Sequence, residues 1–176
     1  MKNTNYLLAL MIILLSCAGN DKKTVSRELE KQATDIAADF ANKKLIQGKI
    51  TVNTDGKIYV GDSSNCYIIN PASVFVGRID KNSSIDLMVT VDTLQEPYVV
   101  PMYHLILNKE KDELAIMHVI KSDMRVLGIK SRIITAEIPT HTPDSPLYFC
   151  SACTDTVEYQ LINGKLVGDE PVRIGD

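Results

Sequence analysis

Tryptophan is absent from this chain of 176 residues, and aromatic residues make up only 6% of it. That disfavours a carbohydrate-binding platform or an aromatic cage, both of which are built from rings. A basic excess is missing too: the formal net charge is -3 and the lysines are scattered, so nucleic acid is excluded as a partner class. No apolar run reaches the roughly 20 residues that a membrane-spanning helix needs. There is no repeat of fixed period, no low-complexity tract and no G-x-S-x-G nucleophile elbow. What remains is ordinary for a globular domain, with 45% hydrophobic and 23% charged residues.

The longest apolar run lies at the start. Lys2 precedes a core of Leu, Ala, Met and Ile from Leu7 to Leu15, and Leu14-Leu15-Ser16-Cys17 ends it with small residues around a cysteine. A charged start and a short apolar core describe an export signal. The Ser16-Cys17 junction resembles the lipobox of bacterial lipoproteins, in which the cysteine is acylated and becomes the new N-terminus. That resemblance implies a signal peptide over 1–16, a lipidated tether over 17–23 anchored through Cys17, and one domain over 24–176. It places the protein in the bacterial cell envelope, attached to a membrane through lipid. A chain of about 160 residues can bury a real core without staples.

From Thr24 the pattern is helical. Either Thr24 or Ser26 can cap the helix, Val25, Leu29, Ala33, Ile36 and Phe40 form one stripe, and Gly48 is a stop signal. From Lys49 the period changes to two, giving short strands at 50–53, 57–60, 66–69, 74–79 and 85–91, then longer ones at 99–107 and 114–120. Asp55-Gly56 and Asn163-Gly164 signal hairpins, while Asn70-Pro71 signals a break. Lys130 to Ile138 alternates as one more strand, Thr140 to Ala152 is a Pro-containing loop, and 156–162 with 165–167 closes the chain. With no helix-length connections between strands, the expected fold is α+β: an N-terminal amphipathic helix packed on a curved, mainly antiparallel β-sheet. A cystatin-like or nuclear-transport-factor-like wrap would have this form.

Candidate chemistry is sparse. Cys150-Ser151-Ala152-Cys153 has the C-x-x-C spacing of thiol oxidoreductases, but strand-like residues rather than a helix follow it, so a structural disulfide is the favoured reading. In an exported chain either Cys150 pairs with Cys153, or Cys66 pairs with one of them. Those three cysteines with His104, His118 or His141 also supply the ligand types of a zinc site, of which C-x-x-C is only half a signature. His141 near Asp144 sketches a hydrolytic triad without an elbow to hold it. No cofactor is implied.

The stretch from Gly77 to Val89 resembles the FG-GAP-type calcium turn, with Asp80, Asn82 and Asp86 at ligand positions. Arg78 stands where that motif has its first aspartate, and Ser83 where it has glycine, which favours a metal-free turn with Arg78 paired to Asp80 or Asp86. Further pieces follow: Tyr103 to Asn108, Ile129-Lys130-Ser131, Pro143-Asp144, Cys150 with Cys153, and Tyr159-Gln160-Leu161 through Lys165-Leu166-Val167. Together they resemble a group of small secreted or lipid-anchored bacterial proteins, mostly without assigned function, that carry a degenerate calcium-turn hairpin and a C-terminal cysteine pair. In that group the cysteines are adjacent, and here they are spaced. The resemblance implies no activity. The function expected is that of a non-catalytic binding, accessory or inhibitory module for a protein or envelope partner. Thiol redox chemistry at 150–153 and calcium-dependent binding are the alternatives.

Overall fold

A computed structural model describes residues 26–45, 50–53, 55–62, 65–81, 85–95, 97–110 and 113–175. The stretches expected to be a signal peptide and a tether lie outside them, with Cys17, as do Thr24, Gly48 and Asn82. One helix, α1 (Arg27–Lys43), precedes ten strands: β1 (Ile50–Val52), β2 (Ile58–Gly61), β3 (Cys66–Gly77), β4 (Asp86–Gln95), β5 (Tyr98–Glu110), β6 (Glu113–Lys121), β7 (Arg125–Lys130), β8 (Ile133–Pro139), β9 (Thr154–Ile162) and β10 (Lys165–Val167). Every paired strand is antiparallel to its neighbour.

The strands form two sheets, one of six in the order β1-β2-β3-β4-β5-β6 and one of four in the order β10-β9-β8-β7. This overturns the α+β expectation of a helix packed on one curved sheet, and with it the cystatin-like and nuclear-transport-factor-like wraps. The protein is predominantly antiparallel β with a single helix. The physical reason lies in β4. Leu87, Val89 and Val91 belong to a core that includes Ala33, Ala37 and Ala41 of α1, whereas Met88 belongs to a second core with Ile134, Ala136, Val157 and Tyr159. A helix covers only one face of a sheet, and β4 is apolar on both. The second sheet supplies the other cover.

Ser26 begins α1, its Oγ accepting the Leu29 N–H at 3.2 Å. Glu28 and Glu30 lie in the first turn and Lys43 in the last, matching the helix dipole. The most deeply buried side chains of α1 are small. Ala33, Ala37 and Ala41 are fully buried, while Leu29, Ile36 and Phe40 pack partly buried around them. Phe40 meets Tyr103 of β5 edge to face, with centroids 5.3 Å apart.

Two turns depart from the sequence expectation. Asn70-Pro71 does not break the chain: β3 runs through it, with its register against β4 shifting between Ile69 and Val74. The strand expected over Lys130 to Ile138 is instead a hairpin, reversing at Ser131-Arg132, both with positive φ.

Candidate functional site

Between the start of β5, the ends of β7 and β8 and the loop that precedes β9 lies a groove of about 190 Å³. Sequence-distant segments meet there because Lys121 of β6 is followed at once by the crossing into the second sheet, through Ser122, Asp123 and Met124. The rim is aromatic. Tyr98 stacks on Phe149 with centroids 4.1 Å apart and planes at 6°, yet the two rings remain 44% and 36% exposed. Tyr148 meets Phe149 edge to face at 5.0 Å. Val99 and Leu147 are also exposed. Such rings are large contact surfaces with one apolar body, and leaving them half wet costs solvation that a partner would recover.

The floor is ionic. Asp123 accepts hydrogen bonds from the Tyr148 hydroxyl at 2.6 Å and from both terminal nitrogens of Arg173, at 2.5 and 2.8 Å. Burial alone would push Asp123 up, but the hydrogen bonds from Arg173 and Tyr148 outweigh it and hold the carboxyl below its usual range. Burial and the hydrogen bond to Asp123 together raise Tyr148 well above an ordinary phenol, so its hydroxyl stays protonated. Arg125 pairs with Glu137 across β7 and β8.

The loop is tied along its length. Buried Ser145 takes the Leu147 N–H on its Oγ at 3.2 Å, and its carbonyl accepts the Tyr148 N–H at 3.0 Å. The C-terminal segment runs beside it, with Ile174 accepting from Thr142 and donating to Thr140. Cys150 and Cys153 stand at disulfide distance with Cα atoms 5.2 Å apart, and Cys150 lines the groove. Cys66 is free on β3, and burial raises its thiol pKa. No helix begins at Cys153; β9 starts at the next residue.

The other candidates are dispersed. His104 is fully buried on β5, with Nδ1 3.1 Å from the Thr90 hydroxyl. His118 lies on β6 against Gly164, and His141 sits in the loop with a buried Nδ1 that has no hydrogen-bond partner. Among the described residues no three His, Cys, Asp or Glu side chains gather as a metal site requires. Asp86 is fully buried and spends its carboxylate on the Ile79 N–H (2.8 Å), the Asp80 N–H (3.3 Å) and the Asn108 amide (3.1 Å), which makes it the tie between the turn and β5. A larger cavity of about 480 Å³ runs open along β9 beside Gly168 and Asp169, and its one aromatic lining residue, Tyr159, is buried.

Sequence reading missed Tyr98, Tyr148 and Phe149. A low aromatic content averaged over the chain concealed that three of its rings converge. Their signal was local: Tyr98 follows Pro97, and Tyr148-Phe149 abut Cys150. Among the described residues no helix is long and apolar enough to cross a membrane. No protein-family model, curated protein or solved structure matches this chain.

Proposed function

We propose that this is a lipid-anchored protein of the bacterial envelope, held by Cys17, that acts without catalysis as a binding, accessory or inhibitory module and engages a protein partner through the Tyr98–Phe149 groove. The observation that carries the reading is the exposed ring stack on a loop fixed by the Asp123–Tyr148–Arg173 network and the cysteine pair. Rigid aromatics over a pre-set floor are the usual anchors of protein interfaces, because little conformational entropy is lost when they bind. The resemblance of the N-terminus to a lipobox supports the anchor.

The test is capture from crosslinked envelopes. The tagged full chain should retain a discrete protein partner, and Phe149→Ala or Tyr98→Ala should weaken that complex by about tenfold or more, as expected for an anchor ring. Cys17→Ser should move the protein from the carbonate-resistant membrane fraction to the soluble one. Capture undiminished by both ring substitutions would reject the groove, and a Cys17→Ser protein still in the membrane pellet would reject the anchor.

A second reading, thiol redox chemistry, is favoured by one observation: Cys150 lines the groove beside the rings. A redox titration separates the two. A structural bond resists glutathione-range potentials, whereas a catalytic pair cycles there.

A further inference from the structure

Sheet edges expose unpaired N–H and C=O groups that template pairing with another strand, and most edges are kept short or blunted. Three of the four edges here follow that rule. β1 and β10 have three residues each, and β7 carries Arg125, Gly128 and Lys130 and has Ile129 packed against Gly77 of β3. The fourth, β6, does not. It runs for nine residues, Glu-Leu-Ala-Ile-Met-His-Val-Ile-Lys, with charge only at its two ends and no proline, and β5 is its sole strand neighbour among the described residues. Ile116 and Val119 are 39% and 45% exposed on it.

The register of β6 on β5 sets which way these residues face. Leu107 pairs with Ile116 and Ile106 with His118, so Met117 is an extra residue and the alternation slips by one there. Leu114, Ile116, Val119 and Lys121 therefore share the face of Leu105 and Leu107, toward the helix core, while Ala115, Met117, His118 and Ile120 share the face of Ile106, toward the second sheet. This pattern reads the same in both directions about a point between Met117 and His118. An antiparallel copy of β6 laid on β6 in that register sets Leu114 against Lys121, Ala115 against Ile120, Ile116 against Val119 and Met117 against His118. Each pair falls on one face, and the acidic Glu113 end of each strand meets the basic Lys121 end of the other. Such cross-strand pairs are the unit of sheet stability.

We propose that β6 is a homodimerisation edge, pairing antiparallel with β6 of a second copy of this chain about a dyad between Met117 and His118 and joining the two six-stranded sheets into one. Ile116 and Val119, half wet in one copy, cover each other across the dyad. The bulge that would spoil an arbitrary partner strand is matched by the identical bulge in the partner.

The test is sedimentation velocity of the full chain in detergent. The wild type should form a dimer with a concentration-dependent midpoint. Ile116→Lys and Val119→Lys, at exposed positions, should each raise the dissociation constant by about tenfold or more with an unchanged circular dichroism spectrum. Register is read separately in a Cys66→Ser background: Ile116→Cys chains mixed with Val119→Cys chains should oxidise to a crossed dimer, and Leu114→Cys chains mixed with Val119→Cys chains should not. A wild type that stays monomeric at its solubility limit, or a dimer that survives both lysine substitutions, would overturn the proposal; so would crosslinking that ignores the register.

Discussion

Buried His104 and half-buried Asp92 are two titratable side chains whose protonation works in opposite directions. Burial lowers the imidazole pKa to about 4, against the smaller upward pull of the Ser122 carbonyl and Asp123, so the ring is neutral in the fold. Burial raises the Asp92 carboxyl to about 6, only partly offset by Lys57. An unfolded histidine takes up its proton near 6.5, so His104 favours the fold fully above that value and its contribution drains away as pH falls toward 4. Asp92 has the reverse sign: its contribution is complete below 3.8 and is lost as pH rises through 6. Between about 4 and 6 the two slopes oppose. Asp92→Asn should therefore leave a stability that climbs with pH across this window, by up to about 1.4 kcal/mol per pH unit, and His104→Gln one that falls. Taking each variant minus wild type cancels groups common to both, such as Asp123 and Asp86. Urea midpoints recorded from pH 4 to 7 check this, and a pH-independent difference for Asp92→Asn would show that its carboxyl is not desolvated in the fold.

At the scale of elements, the β7–β8 hairpin carries the clearest strain. Ser131 and Arg132 both hold positive φ (51° and 69°), as a two-residue turn between twisted strands demands, and residues with a Cβ pay for that conformation. Replacing the pair with Asn-Gly should raise stability by about 1 kcal/mol, seen as a higher urea midpoint with an unchanged m-value. A lower midpoint would mean that the Ser131 or Arg132 side chain supports the turn. The same hairpin shows where sequence reasoning reaches. Asn163-Gly164 was legible between β9 and β10 because its own chemistry suits positive φ at both residues. Ser131-Arg132 has no such chemistry, and its reversal is imposed by packing, with Ile134 buried in the second core and Ile129 against it. Asn70-Pro71 misled in the opposite way: its break signal is real, but pairing with β4 on either side carries the strand past it. In α1 the stripe of Leu29, Ala33, Ile36 and Phe40 was legible, while Ala37 and Ala41, whose small side chains carry little hydrophobic signal, are buried with it against the sheet. The groove was least legible, since Tyr98 and Phe149 meet only because two sheets pack.

For the whole molecule the question is whether those two sheets stand or fall together, and Gly77 is where it can be asked. This residue ends β3 in the six-stranded sheet, paired with Asp86, and a Cβ added there would overlap the Cβ and Cγ2 of Ile129 on β7 in the four-stranded sheet. Its backbone φ is not positive, so the glycine is needed for the closeness of approach and not for conformation. Gly77→Ala should cost about 1 to 3 kcal/mol through overpacking, and Ile129→Ala should cost a similar amount by removing apolar contact with the second core. The two must couple. Shortening Ile129 vacates the space that the new methyl enters, so the double variant should lose less than the sum of the single ones, with a coupling of at least about 0.5 kcal/mol. Because the contact joins the sheets, Gly77→Ala should also shift tyrosine fluorescence and backbone circular dichroism to the same lower midpoint, in one cooperative transition. Additive losses would mean that β3 and β7 do not touch at this point, and two separated transitions would mean that the sheets fold as independent units.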